Sequence, residues 1–208
     1  MQVYVLAGGL GTRLGKLTKK TPKIMVKINS IPFIDYQLSH FYDNGITNII
    51  YCLGHYQDQV CDYIESKKIS KIKIQYAFET DQLLGTGGAI KRAMDKVKKD
   101  QVYILNGDTF FDIDLKALKL KRNNKLQLSL KNMIEFDRYG CVESDEDGYV
   151  IGFTEKGYRH NGKINCGVYL SRKDIFESYD LAEEFSFENF IYKEYKSLRI
   201  TTKIFDNY

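Results

Sequence analysis

Three stretches bring together residue types suited to phosphate chemistry: Gly8-Gly9-Leu10-Gly11-Thr12-Arg13-Leu14, Thr21-Pro22-Lys23 and Asn106-Gly107-Asp108. Three glycines in four positions let a backbone approach a ligand closely and turn its N–H groups toward anionic oxygens. Arg13 adds a planar cationic fork to that loop. Lys23 follows a rigid proline, so its ammonium can be aimed into the same pocket, although a lone lysine is usually a solvated surface residue. Asp108 follows the apolar run VYIL, at the carboxyl end of an expected strand, where open α/β folds place ligands. A carboxylate there is a hard-oxygen candidate for Mg²⁺. The glycine run is not a Walker A loop, because no Gly-Lys-Ser/Thr ends it, and its spacing is not the dinucleotide fingerprint.

These residues need a scaffold, and the chain supplies a clear rhythm. Short β-branched and aromatic runs alternate with amphipathic stretches through the first half, which predicts βαβ units around a mostly parallel sheet. Strands are expected at 2–7, 47–53, 72–78 and 101–105. Helices are expected from Pro32 to before Gly45, near 56–67 and near 88–98. The second half changes character: 126–132, YVIGFT and INCGVYL predict a smaller, more antiparallel layer, with turns at Asp147-Gly148 and Asn161-Gly162. A short helix is expected near Ser171, another carrying Phe187, Phe190, Ile191 and Tyr195, and a last strand at 198–205.

Composition narrows the function. The 208 residues are 43% apolar and 28% charged with two prolines, a globular and not a disordered balance. A net charge of +4 is the small difference between 31 basic and 27 acidic residues spread along the chain, so no nucleic-acid partner is expected. No apolar run is long enough for a membrane span, and the start MQVYVLAGG lacks the features of an export signal. The expected setting is cytoplasmic. Cys52, Cys61, Cys141 and Cys166 contain no C-x-x-C pair and are expected to be reduced.

LAGGLGTRL followed by TPKIM resembles the signature of the sugar nucleotidyltransferases, which join a nucleoside triphosphate to a sugar 1-phosphate and release pyrophosphate. The resemblance implies a Rossmann-like α/β fold, with a mostly parallel sheet flanked by helices and a smaller antiparallel sugar-side layer. It implies that Leu6, Gly8, Gly9, Gly11 and Thr12 hold the nucleotide, that Arg13 neutralises the β and γ phosphates, and that Lys23 contacts phosphates at the reacting centre. Catalysis would then fall to Arg13, Lys23 and Asp108, with Asp108 holding Mg²⁺ between the α-phosphate and its leaving group. Gly85, Thr86 and Gly88, in the LGTGGAI run, would meet the base edge and ribose. Glu79, with Gln82 close by, could accept from the two N–H groups of guanine, or be an exposed loop acid. Gly15, Lys16 and Ile24 depart from the family's proline-containing pattern and bear on loop stiffness.

Further along, FDRYG resembles a segment whose Tyr139 and Gly140 approach the sugar. Glu155 and Lys156 resemble a pair that bonds sugar hydroxyl and phosphate, with Gly157 where the family has proline. Asn165, in Asn165-Cys166-Gly167, resembles a residue that closes over the ring. Within the family, ILNGDTFFDIDL, FDRYG and FSFENF look most like enzymes that make a GDP-heptose for surface polysaccharide. The implied partners are GTP and a sugar 1-phosphate, with Mg²⁺ as cofactor; a single chain or a homodimer is left open. The alternatives are a UDP-, dTDP- or CDP-sugar pyrophosphorylase and a nucleotide-sugar sensor without turnover. A glycosyltransferase using Asp112-Ile113-Asp114 would leave GGLGTRL unexplained.

The expected organisation is one nucleotidyltransferase domain over 1–208. The resemblance also implies a second metal aspartate in a segment that follows one like Ile204-Phe205-Asp206-Asn207-Tyr208. The chain is therefore expected to end before that segment, with Asp206 no substitute for the missing acid.

Overall fold

The computed structural model describes residues 1–79, 83–110 and 112–206, with Arg13 described by its backbone alone. Eleven strands are described: β1 (Gln2–Leu6), β2 (Lys27–Ile28), β3 (Ile31–Pro32), β4 (Asn48–Leu53), β5 (Lys73–Phe78), β6 (Gln101–Asn106), β7 (Leu126–Phe136), β8 (Val142–Ser144), β9 (Val150–Phe153), β10 (Arg159–Arg172) and β11 (Thr201–Ile204). Four α-helices accompany them: α1 (Phe33–Asp43), α2 (Gln57–Ser66), α3 (Gly85–Ala93) and α4 (Phe187–Glu194).

Seven strands form the central sheet in the order β11-β7-β10-β6-β1-β4-β5. β6, β1, β4 and β5 pair in parallel, as do β7 and β11, while β10 runs antiparallel to both β6 and β7. The sheet is thus mostly parallel, and β8–β9 adds a small antiparallel hairpin. β1 sits in the interior of the sheet, between β6 and β4, and nearly all of its side chains are apolar and buried, as a strand covered on both faces requires.

The pleat sends alternate residues to different cores. Val3 and Val5 join the core under α1 and α2, with Phe33, Ile34, Leu38, Phe41, Val60 and Ile64. Tyr4 joins the core on the other face, under α3 and α4, with Ala89, Ile90, Phe187, Phe190 and Ile191. The chain steps from β1 outward to β4 and β5, then returns to place β6 on the opposite side of β1. The carboxyl ends of β1 and β6 therefore flank a topological switch point, where an open α/β sheet leaves a crevice.

Two turn and helix expectations are corrected. Asn161 and Gly162 form no turn: both lie inside β10, opposite Ile134 and Met133 of β7. Gly162 is needed for packing, since a Cβ there would stand 2.5 Å from Cys141 Sγ and 3.0 Å from Phe136 Cζ. Ser171 starts no helix; it belongs to β10 opposite Val102 and Leu126, and residues 173–178 are turns. The Asp147-Gly148 turn is present, with Gly148 at φ +80° and its N–H donating to Asp145 O. The last strand is shorter than expected, Thr201–Ile204.

Candidate active site

A cleft of about 500 Å³ opens at the switch point. Its floor is the loop that leaves β1. Gly8 packs so tightly there that a Cβ would stand 2.7 Å from Glu79 Oε1, and a Cβ on Gly54 would stand 2.9 Å from Gly8 O. Gly11 adopts φ +64°, a left-handed turn that favours glycine, and hands the chain to the 3-10 segment Thr12–Thr18. Thr18 closes this loop on itself: its buried hydroxyl donates to Gly11 O at 2.9 Å. Gly15, at φ +54° and ψ −113°, supplies the kink within it. The loop's unusual geometry thus depends on Gly54 and Thr18 as well as on its own glycines. Neither of those two stands out in sequence, because one contact is long-range and the other is a side chain to backbone bond.

Lys23 follows Pro22 and opens the 3-10 turn Lys23–Met25, while Ile24 is buried in the α1 and α2 core and anchors it. Lys23 Nζ forms an ion pair with Asp108 Oδ2, and both side chains remain partly exposed to the cleft. Asp108 is held by the turn that follows β6. Gly107 N donates to Leu6 O at 2.9 Å, and a Cβ on Gly107 would stand 2.6 Å from that same oxygen. Gln37 of α1, itself buried, donates through Nε2 to Gly107 O at 3.3 Å. The Lys23–Asp108 wall is therefore braced from the α1 side of the sheet.

The opposite wall comes from α3 and α4. Leu84 N donates to Glu79 Oε2 at 3.2 Å, so Glu79 is fixed at the cleft and is not an exposed loop acid. Burial raises its pKa, against the opposing pull of the Leu84 N–H and the Arg92 charge. Gly85 and Thr86 line the cleft; Gly88 does not. A Cβ on Gly88 would meet Glu183 O at 2.2 Å, and one on Gly87 would meet the Phe185 ring. Their N–H groups point to Phe185 O, at 3.4 Å and 2.9 Å respectively. The second and third glycines of LGTGG therefore let α3 pack against the 183–185 segment, and their amides are spent there.

Glu188, in the first turn of α4, completes this wall. Its Oε2 accepts from Thr86 Oγ1 at 2.8 Å and from Ser186 Oγ at 3.1 Å, while Thr86 Oγ1 accepts from Phe187 N at 2.8 Å. It is a charged cleft residue that sequence reasoning missed. The FSFENF run carried it, and Ser186 is the helix N-cap that the run contains.

Leu6, Gly8, Gly9, Gly11, Thr12, Lys23, Glu79, Gly85, Thr86 and Asp108 thus meet at one cleft, from segments separated by as many as 102 positions. The side chain of Arg13, and Gln82, Asn207 and Tyr208, lie outside the described residues. Tyr139, Gly140, Glu155, Lys156 and Asn165 are not among the residues that line this cleft. They lie along β7 to β10: Tyr139 beside Phe136, Gly140 against Thr154 O, and Glu155 and Lys156 exposed after β9. Asn165 stands where β10 shifts register against β7; its Nδ2 donates to Tyr169 Oη at 2.9 Å and its Oδ1 accepts from Gly167 N at 3.0 Å. Asp206 accepts from Asn132 Nδ2 at 3.2 Å.

Groups of three or more His, Cys, Asp or Glu that could share a metal are absent among the described residues. Asp108 nevertheless suits Mg²⁺, which commonly takes one or two carboxylates and fills its shell with water and substrate phosphates. Asp114 caps the 3-10 turn Leu115–Ala117 by accepting from Lys116 N, and Asp112 faces His40 at 3.8 Å. Burial pushes the Cys52 and Cys166 thiols up to about 12, which leaves both as core residues at neutral pH.

A glycine-lined crevice at the switch point, with a lysine and an aspartate meeting at its mouth, has the chemistry to receive a phosphate-bearing ligand. The nucleotidyl transferase family model matches residues 2–201, and the chain belongs to that family. The chain is 45% identical over 208 residues to a D-glycero-alpha-D-manno-heptose 1-phosphate guanylyltransferase from Campylobacter jejuni, covering all of this chain and 92% of that one. It is 40% identical to an enzyme of the same name from Aneurinibacillus thermoaerophilus, over all of this chain and 91% of that one. Among solved structures, HddC from Yersinia pseudotuberculosis, complexed with GMP-PN, superposes with a TM-score of 0.85 at 31% identity, covering all of this chain and 91% of that one. Together these make the chain a sugar-1-phosphate nucleotidyltransferase with the fold that its sequence implies. Among the described residues, no helix is long and apolar enough to cross a membrane.

Proposed function

We propose that this enzyme joins GTP to D-glycero-α-D-manno-heptose 1-phosphate, giving the GDP-sugar and pyrophosphate, within one nucleotidyltransferase domain. The observation that carries the reading is the Lys23–Asp108 pair at the mouth of a glycine-lined cleft, in a chain similar along its whole length to guanylyltransferases of that name. The cytoplasm, and supply of a precursor for surface polysaccharide, belong to the same reading.

The loop from Gly8 to Thr12 lines the cleft on the side that would receive the triphosphate, and its close-packed glycines leave room for phosphate oxygens. Lys23 stands where charge develops during in-line attack by a sugar-phosphate oxygen on the α-phosphorus, and supplies a fixed cation there. The family resemblance assigns Arg13 the β and γ phosphates. Asp108 would hold Mg²⁺, which when bound neutralises phosphate oxygens and polarises the α-phosphorus. Glu79 is suited to guanine: with Oε2 held by Leu84 N, Oε1 lies over Gly8 at the cleft.

Measuring pyrophosphate release with GTP, UTP, dTTP and CTP, each crossed with a set of sugar 1-phosphates, tests the reading. GTP with the heptose 1-phosphate is expected to turn over fastest. A faster rate with UTP, dTTP or CTP would sink the guanine assignment, and a faster rate with another sugar would sink the heptose assignment.

A further inference from the structure

We propose that Glu188 is a specificity residue of this cleft, its carboxylate accepting a hydrogen bond from a hydroxyl of the bound sugar. The inference rests on the sugar 1-phosphate reading above. Among the described residues, three carboxyl groups line the cleft, and the other two have evident partners: Asp108 is paired with Lys23, and Glu79 accepts from Leu84 N. Glu188 is held by two neutral hydroxyls, Thr86 and Ser186, both on Oε2. Among the described residues it has no ion-pair partner and its Oε1 accepts no hydrogen bond. Ser186 already caps α4 through Asn189 N, so the helix end does not depend on Glu188 for its cap.

A carboxylate of this kind is an acceptor that has been aimed and left uncompensated. In a cleft that must admit phosphate anions, it repels phosphate oxygens and attracts donors. The polyhydroxyl part of the substrate carries such donors. Its position separates it from the phosphate machinery: Ile24, next to Lys23, and Gln37, which braces Gly107, belong to the α1 face of the sheet, whereas Glu188 is on α4 across the other face. Burial first, and then the Glu188 charge, raise the hydroxyl pKa of both Tyr169 and Tyr192. The Thr86 hydroxyl, accepting from Phe187 N and donating to Glu188, locks the side chain's direction.

The test compares wild type, Glu188→Gln and Glu188→Ala for kcat/KM on the parent sugar 1-phosphate, on its single-deoxy analogues, and with 2′-deoxy- and 3′-deoxy-GTP. Wild type should lose about 10- to 100-fold on one deoxy sugar, the range expected for one hydrogen bond to a charged group. Glu188→Ala should lose a similar factor on the parent sugar and nothing further on that analogue. Glu188→Gln keeps an oxygen for Thr86 and should show partial loss with the same pattern, which carries the test if the alanine variant folds poorly. Melting temperature and GTP affinity of each variant report the scaffold. An equal loss on every sugar would assign Glu188 a purely structural role and overturn the proposal. Coupling to a deoxy-GTP and not to a deoxy sugar would overturn it in favour of ribose. If wild type releases no pyrophosphate with any sugar 1-phosphate, the parent reading fails, and the proposal with it; wild-type turnover without coupling at Glu188 defeats the proposal alone.

Discussion

Lys23 and Asp108 stand 85 positions apart in the chain, yet Lys23 Nζ donates directly to Asp108 Oδ2 at the mouth of the cleft. The pair ties the loop after β1 to the turn after β6, so the two strands that flank the switch point also share their charged groups. In the free enzyme, the lysine occupies the carboxylate that the phosphate-bound cation would need. On the proposed reading, substrate phosphates would draw the ammonium away and release Asp108.

Replacing Lys23 with methionine should separate these roles. Turnover is expected to fall by about 100-fold or more, as when one transition-state charge partner is removed. Mn²⁺ affinity of the nucleotide-free protein, read by electron paramagnetic resonance, is expected to rise because a competing cation is gone. Unchanged Mn²⁺ affinity would show that the ion pair does not guard Asp108. Arg13→Ala is expected to lower turnover by a similar factor, and a near-wild-type rate would remove Arg13 from the mechanism.

Gly107→Ala tests how finely Asp108 is placed. The added Cβ would meet Leu6 O at 2.6 Å and Ala7 Cβ at 3.1 Å, and the first is backbone of the central strand that cannot swing away. The Asn106–Asp108 turn must shift, and a displacement on the order of 1 Å can cost about 100-fold in rate. Steady-state kinetics on folded variant, with circular dichroism as control, should show that loss mainly in kcat; a rate within twofold of wild type would refute it.

Glu79 gives a pH signature. Its carboxyl pKa is raised above the ordinary 4.5 by burial, so its contribution to stability is fully present below that value and is lost as pH rises through the folded-state value. Glu79→Gln does not ionise and should escape the loss. Melting temperatures from pH 4 to pH 8 are expected to show the variant gaining on wild type as pH rises. A constant difference across the range would mean that Glu79 is not held by burial.

Gly162→Ala probes the side that the family resemblance assigns to the sugar. Its Cβ would press on Cys141 Sγ and Phe136 Cζ, which belong with Ile164 to a small core beneath the Tyr139–Gly140 segment. Overpacking of this kind costs roughly 1–3 kcal/mol, so the melting temperature should fall. The KM for the sugar 1-phosphate is expected to rise while GTP affinity, measured by calorimetry, stays at the wild-type value. An equal loss of GTP affinity would contradict the separation of the two regions.

Much of this enzyme was legible before any coordinates. The βαβ rhythm follows from local periodicity: β1 is a continuous apolar run, and α1 repeats Phe33, Ile34, Gln37, Leu38 and Phe41 on one face. Gly8, Gly11, Lys23 and Asp108 announced phosphate chemistry because their types and spacing carry it within a few residues. The readings that failed were also local ones. Asn161-Gly162 has turn chemistry, but pairing with β7 and the contact with Cys141 and Phe136 override it. Gly88 looked like a bare amide for a ligand, and its amide is used on Phe185 O.

What the sequence by itself determined, then, was the fold class and the family, and it singled out Lys23 and Asp108, since each is encoded in short-range pattern. The tertiary structure alone decided which distant residues share a cleft. Gly54 against Gly8, Gln37 behind Gly107, and Glu188 tied to Thr86 across 102 positions are contacts between elements remote in sequence. They arise from sheet order and helix packing, which bring remote side chains within hydrogen-bond reach and leave no trace in spacing along the chain.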